Sequence, residues 1–266
     1  MQLMRKFFRF LSLDLWGRLP GSWQRSLSRI YAQLYSKSYS RHLIGPYCKI
    51  NYRDPKYLTQ FKPASGAPYY TSFQDFFTRV YKEPIRIDSD AIWPCEGLLC
   101  EHGKVSDTSL VNVKGQKRHL RTIFGDRGNA IPNDYYFSNI FLHNNNYHRI
   151  HSPVSGAVTR VEHIPGDLVI LRPWIYKRDP SLPALRNERY NVDIRSESGA
   201  EWFISIVGGP AVGSIVLSEG LNVGSLVQIG EELAKFLLGS TCCIASPKPV
   251  ASSLLGKQVF VGQAIG

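Results

Sequence analysis

Leu3, Phe7, Leu11 and Leu15 recur every fourth residue, with Met4 and Phe8 beside them, and predict an amphipathic helix at the start of the chain. Pro20-Gly21 breaks that period, and Ser22 stands where a second helix would take its N-cap. Trp23, Leu27, Ile30, Tyr31, Leu34 and Tyr35 then mark one apolar helical face. Residues 45–70, rich in Tyr, Pro and Gly, read as a connector. A short helix from Ser72 to Tyr81 follows, with Ser72 capping and Phe73, Phe76, Phe77 and Val80 on one side. From about Ile87 the pattern changes to short strands between Gly, Pro, Asn and Ser turns. Gly156–Val161, Leu168–Leu171, Tyr190–Ile194, Trp202–Val207 and Gly213–Leu217 are such runs, and 151–161 and 242–261 are similar. The predicted class is α+β: N-terminal amphipathic helices (1–44), then a second unit (45–266), expected to be the catalytic one, that becomes a mostly antiparallel β body from about Ile87.

Composition narrows the partners. With 43% hydrophobic and 20% charged residues among 266, the chain is globular rather than disordered. Its net charge of +11 calls for an anionic partner. Arg5, Lys6, Arg9, Arg18, Arg25, Arg29, Lys37 and Arg41 face a single acid, Asp14, over the first 44 residues, interleaved with large apolar side chains. That mixture suits an anionic membrane surface and not a nucleic-acid groove. No apolar stretch approaches the ~18 residues that span a bilayer. Cys48, Cys95, Cys100, Cys242 and Cys243 show neither a zinc spacing nor a disulfide framework and read as free thiols. The expected location is peripheral, on the cytoplasmic face of a membrane.

Three short segments carry reactive groups. In Gly239-Ser240-Thr241, a strained glycine backbone would favour attack of the serine hydroxyl on the preceding carbonyl. Such attack needs a base. Tyr147-His148-Arg149-Ile150-His151 offers two histidines, which in an extended strand point to opposite sides unless the chain turns between them. They lack a third ligand for a metal, so no metal is expected. Glu96 of Pro94-Cys95-Glu96-Gly97 is a carboxylate able to orient an imidazole.

Taken in order, these segments resemble the phosphatidylserine decarboxylase family from about Ser72 to Gly262. Phe73-Gln-Asp-Phe-Phe-Thr-Arg79 is similar to its entry helix, and Trp93–Gly97 to its Pro-x-Asp-Gly motif. Val113-Lys114-Gly115, Tyr147–Gly156, Pro165–Leu168, Asn187-Glu188-Arg189 and Val207–Ile215 also follow the family pattern, and Leu238-Gly239-Ser240-Thr241 matches the processing site. The resemblance implies self-cleavage between Gly239 and Ser240, giving a β fragment of 1–239 and an α fragment of 240–266 that begins with a pyruvoyl cofactor made from Ser240. It implies that His151 is the base of cleavage together with Glu96, and that His148 serves substrate binding or proton transfer. Phosphatidylserine would be decarboxylated to phosphatidylethanolamine, with the backbone of Gly208 and Gly209 near the phosphate and the N-terminal helices against the bilayer. The fragments of one chain are the implied partners, and a homodimer is compatible with the sequence.

Four positions depart from the family pattern. Glu96 stands for the family's Asp, longer by ~1.5 Å, one C–C bond. Asn146 stands where the family usually has an acid. Cys242 and Cys243 replace more typical β-branched residues beside the processing site. The alternatives are an uncleaved lipid-binding homologue, because of Glu96, and a pyruvoyl enzyme for a soluble amino acid.

Overall fold

A computed structural model of the chain describes residues 2–176, 179–209, 215–237 and 240–266. The first helix, α1 (Gln2–Phe10), is shorter than its period suggests, and a π turn at Leu11–Leu15 and a 3-10 turn at Trp16–Arg18 continue it. Helix α2 (Gly21–Ser36) is capped by Pro20 rather than Ser22. The Pro20 carbonyl accepts the N–H groups of Trp23 and Gln24 at 2.9 and 3.2 Å, so the helix begins before Ser22.

The expected connector is ordered. It holds α3 (Ile44–Asn51), a 3-10 turn at Pro55–Gln60 and the two-residue strand Phe61–Lys62. Pro46 is tolerated because it sits in the first turn, where N–H groups have no helical partner. Tyr47 and Tyr52 pack edge-on against Phe76, which gives this segment a core of its own. Helix α4 (Phe73–Phe77) is capped by the Ser72 hydroxyl, which accepts from the Asp75 N–H at 3.1 Å. It stops short of Tyr81 because Val80–Tyr81 pairs with Phe61–Lys62 instead.

The body contains β1 (Gly97–Lys104), β2 (Tyr136–Leu142), β3 (Arg149–His151), β4 (Gly156–Ile164), β5 (Arg189–Ser196) and β6 (Glu201–Gly208). It continues with β7 (Ile215–Leu217), β8 (Leu226–Val227), β9 (Glu232–Phe236), β10 (Ser240–Ser246) and β11 (Gln258–Val259). Eight of them form one sheet in the order β8-β4-β5-β6-β10-β2-β1-β11, and β7-β9-β3 form a smaller sheet. Every strand pair in both sheets is antiparallel.

Both faces of the large sheet are buried. Ile140, Ile204, Ile206, Cys242 and Ile244 face one core, and Phe137, Phe141, Phe203, Cys243 and Ala245 the other. The period-2 alternation of strand side chains thus feeds two cores at once. Strand β10 lies at the centre, between β6 and β2, and all seven of its residues are buried.

Leu168–Leu171, expected as a strand, is irregular. Side chains satisfy its backbone in place of a sheet ladder. The Leu168 N–H donates to Gln24 Oε1 at 2.6 Å and its carbonyl accepts from Trp16 Nε1 at 2.6 Å. The Ile170 N–H donates to Ser12 Oγ at 3.0 Å, and Asn187 takes both backbone groups of Val169. The N-terminal segment is therefore bonded to the body by buried polar groups.

Candidate active site

Strand β10 places its first residue, Ser240, opposite Gly208 of β6 and Leu142 of β2. The hydroxyl is fully buried and has no hydrogen-bond partner among the described residues. Leaving such a group unpaired costs about 1–3 kcal/mol, so its presence calls for a role other than packing. It borders a cavity of about 620 Å³ lined mainly by apolar side chains, among them Tyr31, Tyr35 and Leu43 of the N-terminal region, Phe77 and Phe141. Among the described residues, Arg172 is the one cationic residue of that lining. Gly239, the expected partner of Ser240 in cleavage, lies outside the described residues, as does the run 210–214. The expected amide donor Gly208 is committed elsewhere: its N–H donates to the Glu188 carbonyl at 2.9 Å.

The histidine segment pairs with β9, the strand that precedes Ser240 in the chain. The Phe236 N–H donates to the His148 carbonyl at 3.0 Å, four residues before Ser240. His148 precedes β3 and His151 ends it. A turn at His143–Asn146, closed by the Asn146 N–H on the His143 carbonyl at 2.8 Å, leads into them.

His148 is fully buried, its ring centroid 3.9 Å from that of Phe77. Its Nδ1 pairs with the Asn146 carbonyl at 2.8 Å, which requires the proton on Nδ1 and leaves a lone pair on Nε2. That Nε2 has no partner among the described residues. Burial, reinforced by the charge of Arg79, holds the pKa down to about 3. His151 is similarly neutral, its pKa pushed down to about 4 by burial. Its Nδ1 donates to the Gly230 carbonyl at 2.8 Å, and Nε2 accepts from Tyr147 Oη at 3.1 Å.

Glu96 is 2% exposed, yet well satisfied. Tyr57 Oη donates to its two oxygens at 2.8 and 2.7 Å, Asn146 Nδ2 donates at 2.7 Å, and the Tyr147 N–H adds a main-chain donor. Burial raises its pKa above the ordinary carboxylate value, and these donors and Arg79 oppose the rise. Its position is fixed by the next residue. A Cβ on Gly97 would stand 2.6 Å from the Phe141 carbonyl oxygen, so only glycine lets the strand approach this closely.

The expected hydrogen bond between Glu96 and His151 is replaced by one-residue bridges. Glu96 holds Tyr147, whose hydroxyl meets His151, and it holds Asn146, whose carbonyl meets His148. Two participants escaped the sequence reading. Tyr57 lies in the supposed connector, where no local signal marks it. Arg79 was visible only as the end of a helix motif, yet it is fully buried, with Nη2 on the carbonyls of Asn145 and Asn146 at 3.1 and 2.8 Å. Its guanidinium lies 4.7 Å from the Phe61 ring centroid. Among the described residues, no group of three or more His, Cys, Asp or Glu side chains is placed to hold a metal ion.

Comparison with known proteins gives the family. The family model described as Phosphatidylserine decarboxylase matches residues 73–266. The phosphatidylserine decarboxylase proenzyme of Pseudoalteromonas translucida is 34% identical over 205 residues, covering 66% of this chain and 69% of the relative. That of Methylobacillus flagellatus is 32% identical, covering 67% and 70%, and that of Variovorax paradoxus 30%, covering 70% and 72%. The match takes in Glu96, both histidines and Ser240, and the chain belongs to the phosphatidylserine decarboxylase family, a family of carbon–carbon lyases.

Proposed function

We propose that this chain is a self-processing phosphatidylserine decarboxylase whose cofactor is made from Ser240. The observation that carries the reading is the buried, unpartnered Ser240 hydroxyl at the wall of an apolar cavity that the N-terminal helices also line. In cleavage the hydroxyl oxygen adds to the Gly239 carbonyl carbon, and the peptide C–N bond breaks as an ester forms. Elimination across Cα–Cβ of residue 240 releases the Gly239 carboxylate. The dehydroalanine left behind hydrolyses to a pyruvoyl group with loss of ammonia.

His151 is suited to take the hydroxyl proton. It is a neutral imidazole, and its Nδ1–H bond to Gly230 reserves Nε2 as the basic atom. It must exchange the Tyr147 hydroxyl for that of Ser240 to do so. A pyruvoyl group at position 240 would supply an electron-accepting carbonyl for the charge left when carbon dioxide departs. His148, whose Nε2 lone pair has no partner among the described residues, is placed to accept a proton or a hydrogen bond from the substrate amine, and a proton taken up there can be passed back to the substrate carbon. Arg172 supplies positive charge on the cavity wall toward a lipid phosphate or carboxylate.

The seat is an anionic membrane surface on its cytoplasmic face. Phe7, Phe10, Trp23, Ile30 and Leu34 are 46–65% exposed on the N-terminal helices, with Lys6, Arg9 and Arg29 exposed among them. No described helix is long and apolar enough to cross a membrane, which fits helices lying in the interface. Phosphatidylserine would then reach the cavity without leaving lipid.

Intact mass spectrometry of the purified protein tests the reading. Two fragments meeting at 239/240, the shorter with the mass of a pyruvoyl N-terminus, are expected, and Ser240→Ala should abolish cleavage and decarboxylation together. A wild-type chain that stays whole on long incubation while still binding phosphatidylserine vesicles would establish the uncleaved lipid-binding homologue instead.

A further inference from the structure

We propose that Asn146 is a positioning residue that ties the Glu96 carboxylate to the imidazole of His148, so that the acid fixes the aim of a histidine it does not touch. The proposal rests on the reading of Ser240 as the processed residue.

Every polar atom of Asn146 is committed. Its Nδ2 donates to Glu96 Oε1 at 2.7 Å, and its Oδ1 accepts from the His143 N–H at 2.7 Å. Its N–H closes the turn on the His143 carbonyl at 2.8 Å. Its own carbonyl accepts from His148 Nδ1 and from Arg79 Nη2, both at 2.8 Å. Asn146 is 5% exposed.

Only an amide of this length accepts at one tip and donates at the other. An Asp offers two acceptors when ionised and would set a second carboxylate against Glu96. A Leu would leave both the Glu96 oxygen and the His143 N–H unpaired. Because both tips are clamped, the Asn146 carbonyl stands still, and the bond it accepts keeps the His148 proton on Nδ1. The lone pair on Nε2 is what this leaves, unpartnered like the Ser240 hydroxyl. Phe77 touches the His148 ring and lines the cavity that Ser240 borders, so the two unpaired atoms belong to one region.

The same geometry explains the acid. The methylene by which Glu exceeds Asp, ~1.5 Å, carries the carboxylate toward Asn146 Nδ2. Positions 96 and 146 are also two of those at which the sequence departs from the family pattern. Their contact makes the two departures one coupled change.

The test exchanges the two groups. Glu96→Gln and Asn146→Asp are made singly and together. The double variant keeps one carboxylate, one amide and the hydrogen bond between them, with the direction reversed. Self-cleavage is timed by intact mass, decarboxylation of detergent-dispersed phosphatidylserine is measured per cleaved chain, and the ring nitrogens of His148 are followed by 15N NMR. Each single variant should turn over about a hundredfold more slowly per cleaved chain, the loss that a ~1 Å misplacement brings. The double variant should return to within about tenfold of wild type, because neighbouring sites are not additive. Asn146→Asp turning over at the wild-type rate per cleaved chain overturns the proposal. So does a double variant that keeps the wild-type Tm and is no faster than the slower single one. Wild-type cleavage by itself tests only the reading beneath. In a wild type that stays whole, the NMR arm still decides: a neutral, Nδ1-protonated His148 that is perturbed in Asn146→Asp and restored in the double variant is expected. An Nε2-protonated His148 in the wild type overturns the proposal.

Discussion

His148 and His151 are buried as neutral rings, and that gives the folded state a dependence on pH. Their pKa values in the fold are held down to about 3 and about 4, against 6.5 for an ordinary histidine. Below pH 6.5 the unfolded chain takes up protons that the folded chain refuses. The stability that these residues contribute is therefore fully present above 6.5 and is lost as the pH falls toward their folded values. Each histidine accounts for about 2 kcal/mol between pH 6.5 and 5, at about 1.4 kcal/mol per pH unit. Glu96 acts in the opposite sense, since its raised pKa lets the fold bind a proton before the unfolded chain does. Two histidines outweigh one acid, so the urea midpoint should fall from pH 7 to pH 5. In His148→Gln that fall should shrink by the share of one histidine. An unchanged pH slope in the variant would mean that His148 is charged in the fold.

Among strands and loops, legibility followed the range of the forces. The central strand β10 was readable only from Cys242, where the apolar run Cys-Cys-Ile-Ala begins; Ser240 and Thr241, hydroxyl residues buried at its start, carry no such signal. Glu96, His148, His151 and Ser240 stood out because their neighbours in sequence form recognisable motifs. Tyr57 and the bridging contacts of Asn146 did not, since their partners lie 39 and 50 residues away and leave no local period. Leu168–Leu171 misled for the same reason. Its apolar run is a strand by composition, and only the distant Gln24, Trp16 and Ser12 make an irregular path acceptable. Gln24→Ala removes the acceptor of the Leu168 N–H and the donor to the carbonyls of Trp16 and Leu19. It should cost about 1–3 kcal/mol, as expected when buried backbone groups lose their partners. Limited proteolysis should then cut within the first 44 residues faster than in wild type, while the β body stays resistant. Equal cleavage rates would show that the N-terminal segment is held by its apolar contacts alone.

At the scale of the molecule, the fold puts the apolar N-terminal face and the cavity beside Ser240 on one side. Tyr31 belongs to both, 49% exposed on the helix and lining the cavity. If that face is the proposed membrane seat, binding has two separable parts. The apolar part scales with buried area, at roughly 25 cal/mol per Å². The electrostatic part is about 1 kcal/mol for each basic side chain near an anionic surface. Reversing the charge of Arg9 and Arg29 should therefore weaken binding to vesicles containing phosphatidylserine by more than tenfold, with little change for neutral vesicles, whose binding is weak from the start. Trp23→Asp with Ile30→Asp should weaken both. Leu226→Asp provides the control, since Leu226 is 77% exposed at the far edge of the large sheet. Co-sedimentation at two salt concentrations separates the parts, because screening weakens only the charged one. The charge-reversed protein should also lose turnover on vesicles while keeping it on phosphatidylserine dispersed in neutral detergent. Equal losses on both would place Arg9 and Arg29 in the fold or the cavity, and the membrane seat would have to lie elsewhere on the surface.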